Sequence, residues 1–246
     1  MSQAFSPQEL PTHVAVIMDG NGRWATARGL SRTEGHKKGA EAARRTVEAA
    51  QEMGIPYVTL FGFSSENWSR PAGEIDDLMN LLRYYLAKET EELKKKGARL
   101  RVIGDRARLP DDIVDRIRVI EEETKGNDKI TVVIALSYGG RQDIVFAAKE
   151  LARQASAGKV DAEKIDEDIF ASHLMTHDIP DPDLMIRTSG ESRISNFLMW
   201  QLAYAELFFT ETLWPDFGKN DLEEAVAFFN SRDRRYGGLS RKAAVS

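Results

Sequence analysis

The sequence predicts an α/β fold: one domain with a mostly parallel central sheet of about six strands, surrounded by helices. Three observations lead there. Short apolar, β-branched runs alternate with longer stretches of helical periodicity along nearly the whole chain. One run, Ile130–Leu136, is almost continuously apolar, as in a strand covered on both faces. At 246 residues, 42% hydrophobic and 30% charged, the chain can bury a sizeable core without disulfides or a structural metal.

In chain order, Val14–Met18 reads as the first strand, followed by a polar, glycine-rich turn. Gly39–Met53 is helical, with Ala43, Val47 and Ala50 on one face, and Gly54 and Pro56 stop it. Tyr57–Phe63 is the second strand. Ser64–Gly73 reads as a loop, from its Ser-Arg-Pro-Ala-Gly. Glu74–Lys96 is a long helix with an apolar stripe of Leu78, Leu81, Leu82, Tyr85, Leu86 and Leu93. Leu100–Ile103 is a strand, and Pro110 opens a helix with Ile113, Ile117 and Ile120 on one side. Gln142–Gln154 is helical, Thr176–Pro182 a loop, Asp183–Ile186 and Glu206–Thr210 short strands, and Leu222–Asn230 the last helix. Residues 1–12 and 240–246 are expected to be flexible tails, and 151–178 carries no motif.

Composition narrows the chemistry. With no cysteine, disulfides, thiolate catalysis, zinc–thiolate sites and iron–sulfur clusters are excluded. A net charge of −5 does not favour nucleic acid as partner. Arg23, Arg28, Arg32, His36, Lys37 and Lys38 nevertheless cluster in one short stretch, which suits a small anionic ligand. No secretory signal or membrane-length apolar run is visible, so a cytoplasmic protein is expected.

Polar clusters follow three of the strands. After the first come Asp19, Gly20, Asn21, Gly22 and Arg23. The glycines allow a tight turn with outward N–H groups, which can hold a diphosphate if a helix starts there. Asp19 is placed to hold Mg²⁺ against it, and Arg23 and Arg32 can bond phosphate. The same residues could also be a plain Asp-Gly-Asn-Gly turn. After the second strand comes Ser64-Ser-Glu-Asn-Trp-Ser-Arg70, at the same end of a parallel sheet, where ligands of open α/β sheets bind. After Ile186 come Arg187, Arg193 and Ser195, the makings of a second anion site. Glu206 could supply a second metal carboxylate, or be a surface charge.

The segments His13-Val-Ala-Val-Ile-Met-Asp-Gly-Asn-Gly-Arg-Trp-Ala25, Gly35-His36-Lys37, Phe63-Ser-Ser-Glu-Asn-Trp-Ser-Arg-Pro71, Tyr138-Gly-Gly-Arg141 and Asp183-Leu-Met-Ile-Arg-Thr-Ser-Gly-Glu191 resemble, in order, the motif set of the cis-prenyltransferases. Within that family the resemblance is closest to the bacterial, undecaprenyl-forming branch. It implies an apolar tunnel beside the sheet, with Leu78, Leu81, Leu82 and Gly62 as candidate walls. It implies chain elongation, in which isopentenyl diphosphate condenses onto an allylic diphosphate, farnesyl diphosphate being the expected primer. The expected product is a long polyprenyl diphosphate for the cell-wall lipid carrier.

By the same resemblance, Asp19 supports the allylic diphosphate and Mg²⁺, and Gly20, Asn21, Gly22 and Arg23 wrap that diphosphate. Trp24, Arg32, His36 and Arg70 stand nearby. Asn67 takes the position assigned to proton removal, beside Ser64, Ser65, Glu66 and Trp68. Arg187, Arg193, Ile194 and Ser195 match the isopentenyl diphosphate site, and Glu206 the second metal carboxylate. Arg235-Tyr236-Gly237 resembles a segment that reaches a partner's active site, which implies a homodimer. A lipid product implies transient contact with the inner face of the membrane. Ser137 departs from the Asn of many relatives.

Three other readings compete, one of them a phosphatase with a strand-end Asp, which would want a second acid two residues on, where Asn21 stands. Asp111-Asp-Ile-Val-Asp115 matches a motif of the all-helical trans-prenyl synthases, but it follows Pro110, where acids favour a helix N-terminus. A non-catalytic accessory subunit of a heteromeric enzyme would lose the Asp and Arg positions that are present here.

Overall fold

The computed structural model describes residues 10–232. Six parallel strands form one sheet: β1 (His13–Ile17), β2 (Tyr57–Ser64), β3 (Ala98–Ile103), β4 (Ile130–Tyr138), β5 (Leu184–Arg187) and β6 (Glu206–Phe209), in the order β3-β4-β2-β1-β5-β6. Helices α1 (Asn21–Thr26), α2 (Arg32–Met53), α3 (Ala72–Lys95), α4 (Asp111–Thr124), α5 (Gly140–Ser156), α6 (Glu167–Ala171) and α7 (Lys219–Ser231) connect them.

The central strands β1 and β5 are buried on both sides, and the alternation of side chains along the sheet sorts two cores. Val14, Val16, Val58 and Leu60 face one side with Ile113, Ile117, Trp214 and Phe229. Ala15, Ile17, Val133 and Met185 face the other with Phe197, Leu198 and Leu202.

Local chemistry explains most of the ends. Ser31 accepts from Glu34 N while Glu34 Oε2 accepts from Ser31 N, a reciprocal cap that starts α2 at Arg32 rather than at Gly39. His36 therefore stands one turn into the helix. The expected loop Ser64–Gly73 is instead the end of β2, a 3-10 turn (Ser65–Ser69) and the start of α3, because Pro71 serves as a helix entry. At α4, Asp111 and Asp112 occupy the first turn, where acids suit the helix dipole, and Arg83 grips Asp112 through two nitrogens, so this acidic motif is spent on the helix start and an ion pair. Thr12, at the end of the expected tail, is tied to the sheet: its N donates to Asp183 Oδ2 at 2.7 Å, and its carbonyl accepts from Tyr57 N. The Arg235-Tyr236-Gly237 segment and residues 240–246 lie outside the described residues.

His13 anchors the opposite, N-terminal edge of the sheet. Its Nδ1 donates to the Pro180 carbonyl at 2.6 Å, and Nε2 accepts from the Thr59 hydroxyl at 2.7 Å. Burial pulls its pKa down to about 4, against which the Pro180 bond pulls weakly upward. The unfolded chain thus binds a proton near pH 6.5 that the folded chain refuses until about pH 4, so this group removes stability as pH falls through that window. Between pH 7 and pH 5 the unfolding free energy from urea titrations should fall by about 2 kcal/mol more in the parent than in His13→Gln. Equal falls in the two proteins would remove His13 as the cause.

Candidate active site

β1 has β2 on one side and β5 on the other, so the chain reverses its direction across the sheet between β1 and β5. In open α/β sheets the crevice beyond the carboxyl ends of such strands is where ligands bind. Asp19 follows β1 and Arg187 closes β5, and the two meet there: Arg187 Nη2 donates to Asp19 Oδ2 at 2.8 Å. Arg187 is almost wholly buried, and its other branch bonds the Arg193 carbonyl at 2.5 Å and Ser195 Oγ at 2.6 Å. Its Nε has no partner among the described residues. Thr188 Oγ1 donates to the Asp19 carbonyl at 2.6 Å and accepts from Asp19 N, which pins the aspartate backbone.

Gly20 adopts φ +109, and a Cβ there would press on Leu213 and Ser189, so glycine is required. The chain then enters α1 with Asn21, Gly22 and Arg23. Asn21 Oδ1 is buried and unpartnered among the described residues. Arg23 bonds Ser189 Oγ at 2.5 Å. Across the crevice, one carboxylate gathers two guanidinium groups: Glu74 accepts from Arg32 at 3.2 Å and from Arg70 at 2.9 Å. His36 lies beside them. Burial first, then Arg70, hold its pKa below the usual value, against the pull of Glu74, so at neutral pH it is an uncharged imidazole. Asn67 Oδ1 accepts from Ser64 N at 3.0 Å, which ties the 3-10 turn to the end of β2.

These groups surround one open cavity of about 690 Å³, whose wall runs from Asp19 and the α1 turn past Arg32 and His36 to Ser64, Glu66, Asn67, Arg70, Arg187 and Ser195. It brings together most of the site residues expected from the sequence. Trp24 is instead packed below α1, its Nε1 donating to Asp216 Oδ1 at 2.7 Å. Trp68 turns inward, edge-on to Phe63 and bonded to Ser137 Oγ at 2.9 Å. Ser137 itself has φ +50, a conformation that Asn tolerates well. Ser65 Oγ is buried behind the turn. Arg193 contributes its carbonyl, while its guanidinium pairs with Glu191. Ile194 packs on the second core.

Glu206 is placed elsewhere. It opens β6 and pairs in register with Leu184, which pairs with Val14, so it stands at the amino end of the strands while Asp19 lies beyond their carboxyl end. Its Oε2 accepts from Arg232 at 3.2 Å. Within one chain the two carboxylates do not form a common metal site, and no cluster of three or more His, Asp or Glu that could hold an ion occurs among the described residues. Sequence reasoning missed Glu74, Thr188 and Asn196. The first could have been seen as an acid in a helix's first turn, but the other two carry no local signal.

A second, apolar cavity of about 290 Å³ shares Met18, His36, Gly62 and Leu78 with the polar one. It continues between the sheet, α2 and α3, past Leu81, Leu82 and Leu86 to Leu93 and Ile120. From Leu78 to Leu93 the α3 wall rises about 22 Å.

The family described as "Putative undecaprenyl diphosphate synthase" matches residues 17–237. Isoprenyl transferase 2 of Bradyrhizobium diazoefficiens is 52% identical, over 99% of this chain and 100% of its own. The ditrans,polycis-undecaprenyl-diphosphate synthase ((2E,6E)-farnesyl-diphosphate specific) of Vibrio cholerae is 50% identical, over 95% of this chain and 94% of its own. Among solved structures, lavandulyl diphosphate synthase from Lavandula x intermedia, in complex with dimethylallyl diphosphate, superposes with a TM-score of 0.89 at 38% identity, covering 93% of this chain and 98% of that one.

Proposed function

The chain belongs to the undecaprenyl diphosphate synthase family of cis-prenyltransferases, and we propose that it elongates farnesyl diphosphate with isopentenyl diphosphate to a long, undecaprenyl-type product. The observation that carries this is the juxtaposition at one crevice of an aspartate, five basic side chains and an adjoining apolar cavity.

The reaction forms a carbon–carbon bond between C1 of the allylic chain and C4 of isopentenyl diphosphate. The C1–O bond breaks and inorganic diphosphate leaves. A proton then departs from C2 of the added unit. Two diphosphates need two anion subsites. We assign the first to the backbone from Gly20 to Arg23 with Arg32 and Arg70, and the second to Arg187 and Ser195. Glu74 holds Arg32 and Arg70 at the rim, so an incoming diphosphate exchanges one shared carboxylate for its own oxygens. Positive charge aimed at the leaving diphosphate is the largest expected rate term. His36 lines the same cavity, where an imidazole nitrogen can bond the substrate. Asn67 is no base at neutral pH and already accepts from Ser64, so it orients the group that takes the proton.

Asp19 fits a Mg²⁺–diphosphate complex. Its Oδ1 has no partner among the described residues, and Mg²⁺ prefers one or two carboxylates with phosphate oxygens and water. When bound, Mg²⁺ would neutralise charge gathering on the leaving group. The apolar cavity would take the growing chain, with Leu81 and Leu82 in its wall.

A homodimer is supported by the edge of β6, which pairs with no further strand among the described residues, and by exposed apolar side chains on it and on α5, Leu207 and Phe146. No helix among the described residues is long and apolar enough to cross a membrane. We place the enzyme in the cytoplasm, releasing its lipid product at the inner membrane face.

The test is a product assay with farnesyl diphosphate, labelled isopentenyl diphosphate and Mg²⁺, with and without EDTA. Long polyprenyl products that vanish with EDTA are expected. Leu82→Trp, which fills the apolar cavity midway, should shorten them by several units. Unchanged lengths would show that the chain grows elsewhere.

A further inference from the structure

Asn196 belongs to neither diphosphate subsite, yet three separate segments meet on it. Its carbonyl accepts from Gly140 N at 2.6 Å, and its Oδ1 accepts from Arg141 N at 2.8 Å, so it holds the first turn of α5. Its Nδ2 donates to Glu66 Oε1 at 2.8 Å and to Gln142 Oε1 at 3.1 Å. Glu66 lies in the 3-10 turn that carries Asn67, and Ser195, the preceding residue, bonds Arg187.

The backbone at this point is strained. Ser195, Asn196 and Leu198 all have positive φ, of 47°, 62° and 39°. Such conformations persist only where the surroundings enforce them, and they gather at functional sites. Here Phe197 is fully buried and stacked on Phe61 at 4.5 Å, which fixes one side. Gly139 shows how tightly the segments converge. A Cβ there would lie 2.5 Å from Ser65 Oγ and 2.6 Å from Asn196 Nδ2.

We infer that Asn196 is a positioning residue that locks the Asn67-bearing turn to the Arg187–Ser195 subsite, and so sets the distance between the isopentenyl diphosphate and the group that handles its proton. The functional half of this inference rests on the reading of those two subsites given above. The mechanical half rests on the hydrogen bonds alone.

A charge swap tests it. Asn196→Asp keeps the acceptor for Arg141 N and tolerates the left-handed backbone, but it sets a carboxylate against Glu66. Glu66→Gln, added to it, restores a donor–acceptor pair with reversed polarity. Two readouts are taken on the full chain: steady-state kinetics, and amide hydrogen exchange of residues 64–70. In Asn196→Asp, KM for isopentenyl diphosphate should rise about 10-fold and kcat fall, with KM for the allylic substrate within about twofold, because misplacement is felt at one substrate only. Exchange in 64–70 should accelerate. The double variant should recover both. Unchanged exchange, or a double variant no better than the single one, overturns the inference. Exchange that behaves as expected in a protein whose parent makes no condensation product would leave the lock standing and refute the assignment of the two subsites.

Discussion

Asp19→Asn should cut turnover by about 10³-fold or more while the protein stays folded. Asparagine keeps the size of the side chain and an oxygen that can accept from Arg187, so the buried guanidinium retains a neutral partner as well as the Arg193 carbonyl and Ser195 Oγ. Weakening one buried charge-assisted bond costs about 1–3 kcal/mol. In a chain of 246 residues that lowers the melting temperature by only several degrees. The lost negative charge matters far more to the reaction. Asp19 lines the cavity between Arg187, which it bonds, and the glycine-rich turn that follows it. The Mg²⁺ concentration needed for half-maximal residual activity should also rise. A variant that keeps full turnover at the parent's Mg²⁺ requirement would refute the role assigned to Asp19.

Gly35→Ala should also be strongly damaging, although residue 35 touches no substrate in the proposed scheme. A Cβ at Gly35 would lie 2.2 Å from the Asn21 carbonyl oxygen and 3.0 Å from Ala25 Cβ. The first of these is backbone and cannot step aside, so α1 must move away from α2. Overpacking of this kind costs about 1–3 kcal/mol. The displaced element carries Asn21, Gly22 and Arg23, and a shift of about 1 Å at a reacting centre can cost about 10²-fold in rate. A loss of that order in kcat/KM for the allylic substrate is therefore expected. Gly73→Ala is the matched control: it sits in the first turn of α3 with open space around it, and it should leave activity unchanged. Equal activities of the two variants would mean that the contact between α1 and α2 does not hold the turn.

Much of the molecule was legible along the chain. Strand and helix alternate because each periodicity is a local property, and three strands run into the polar groups that a parallel sheet delivers to one end. The start of α2 was legible too, in Ser31 and Glu34, but the apolar pattern that begins at Gly39 drew the boundary too late. Ser64–Gly73 looked like a loop from its composition, whereas Pro71 in fact opens a helix.

What the sequence by itself determined is the set of chemical groups: one strand-end aspartate, the arginines, the glycines that admit a close backbone, and the apolar stripe of α3. Their motif order also identifies the family. What only the tertiary structure decided is which of them meet. Asp19 and Arg187 are 168 residues apart and touch because β5 pairs with β1, a choice made by the packing of two cores on either side of the sheet. The same pairing puts Glu206 at the far end of β6, away from Asp19, and leaves Asn196 at the junction of three segments. Local periodicity fixes which way a side chain faces. It carries no information on which strand will lie alongside, because that depends on burial summed over residues distant in the chain.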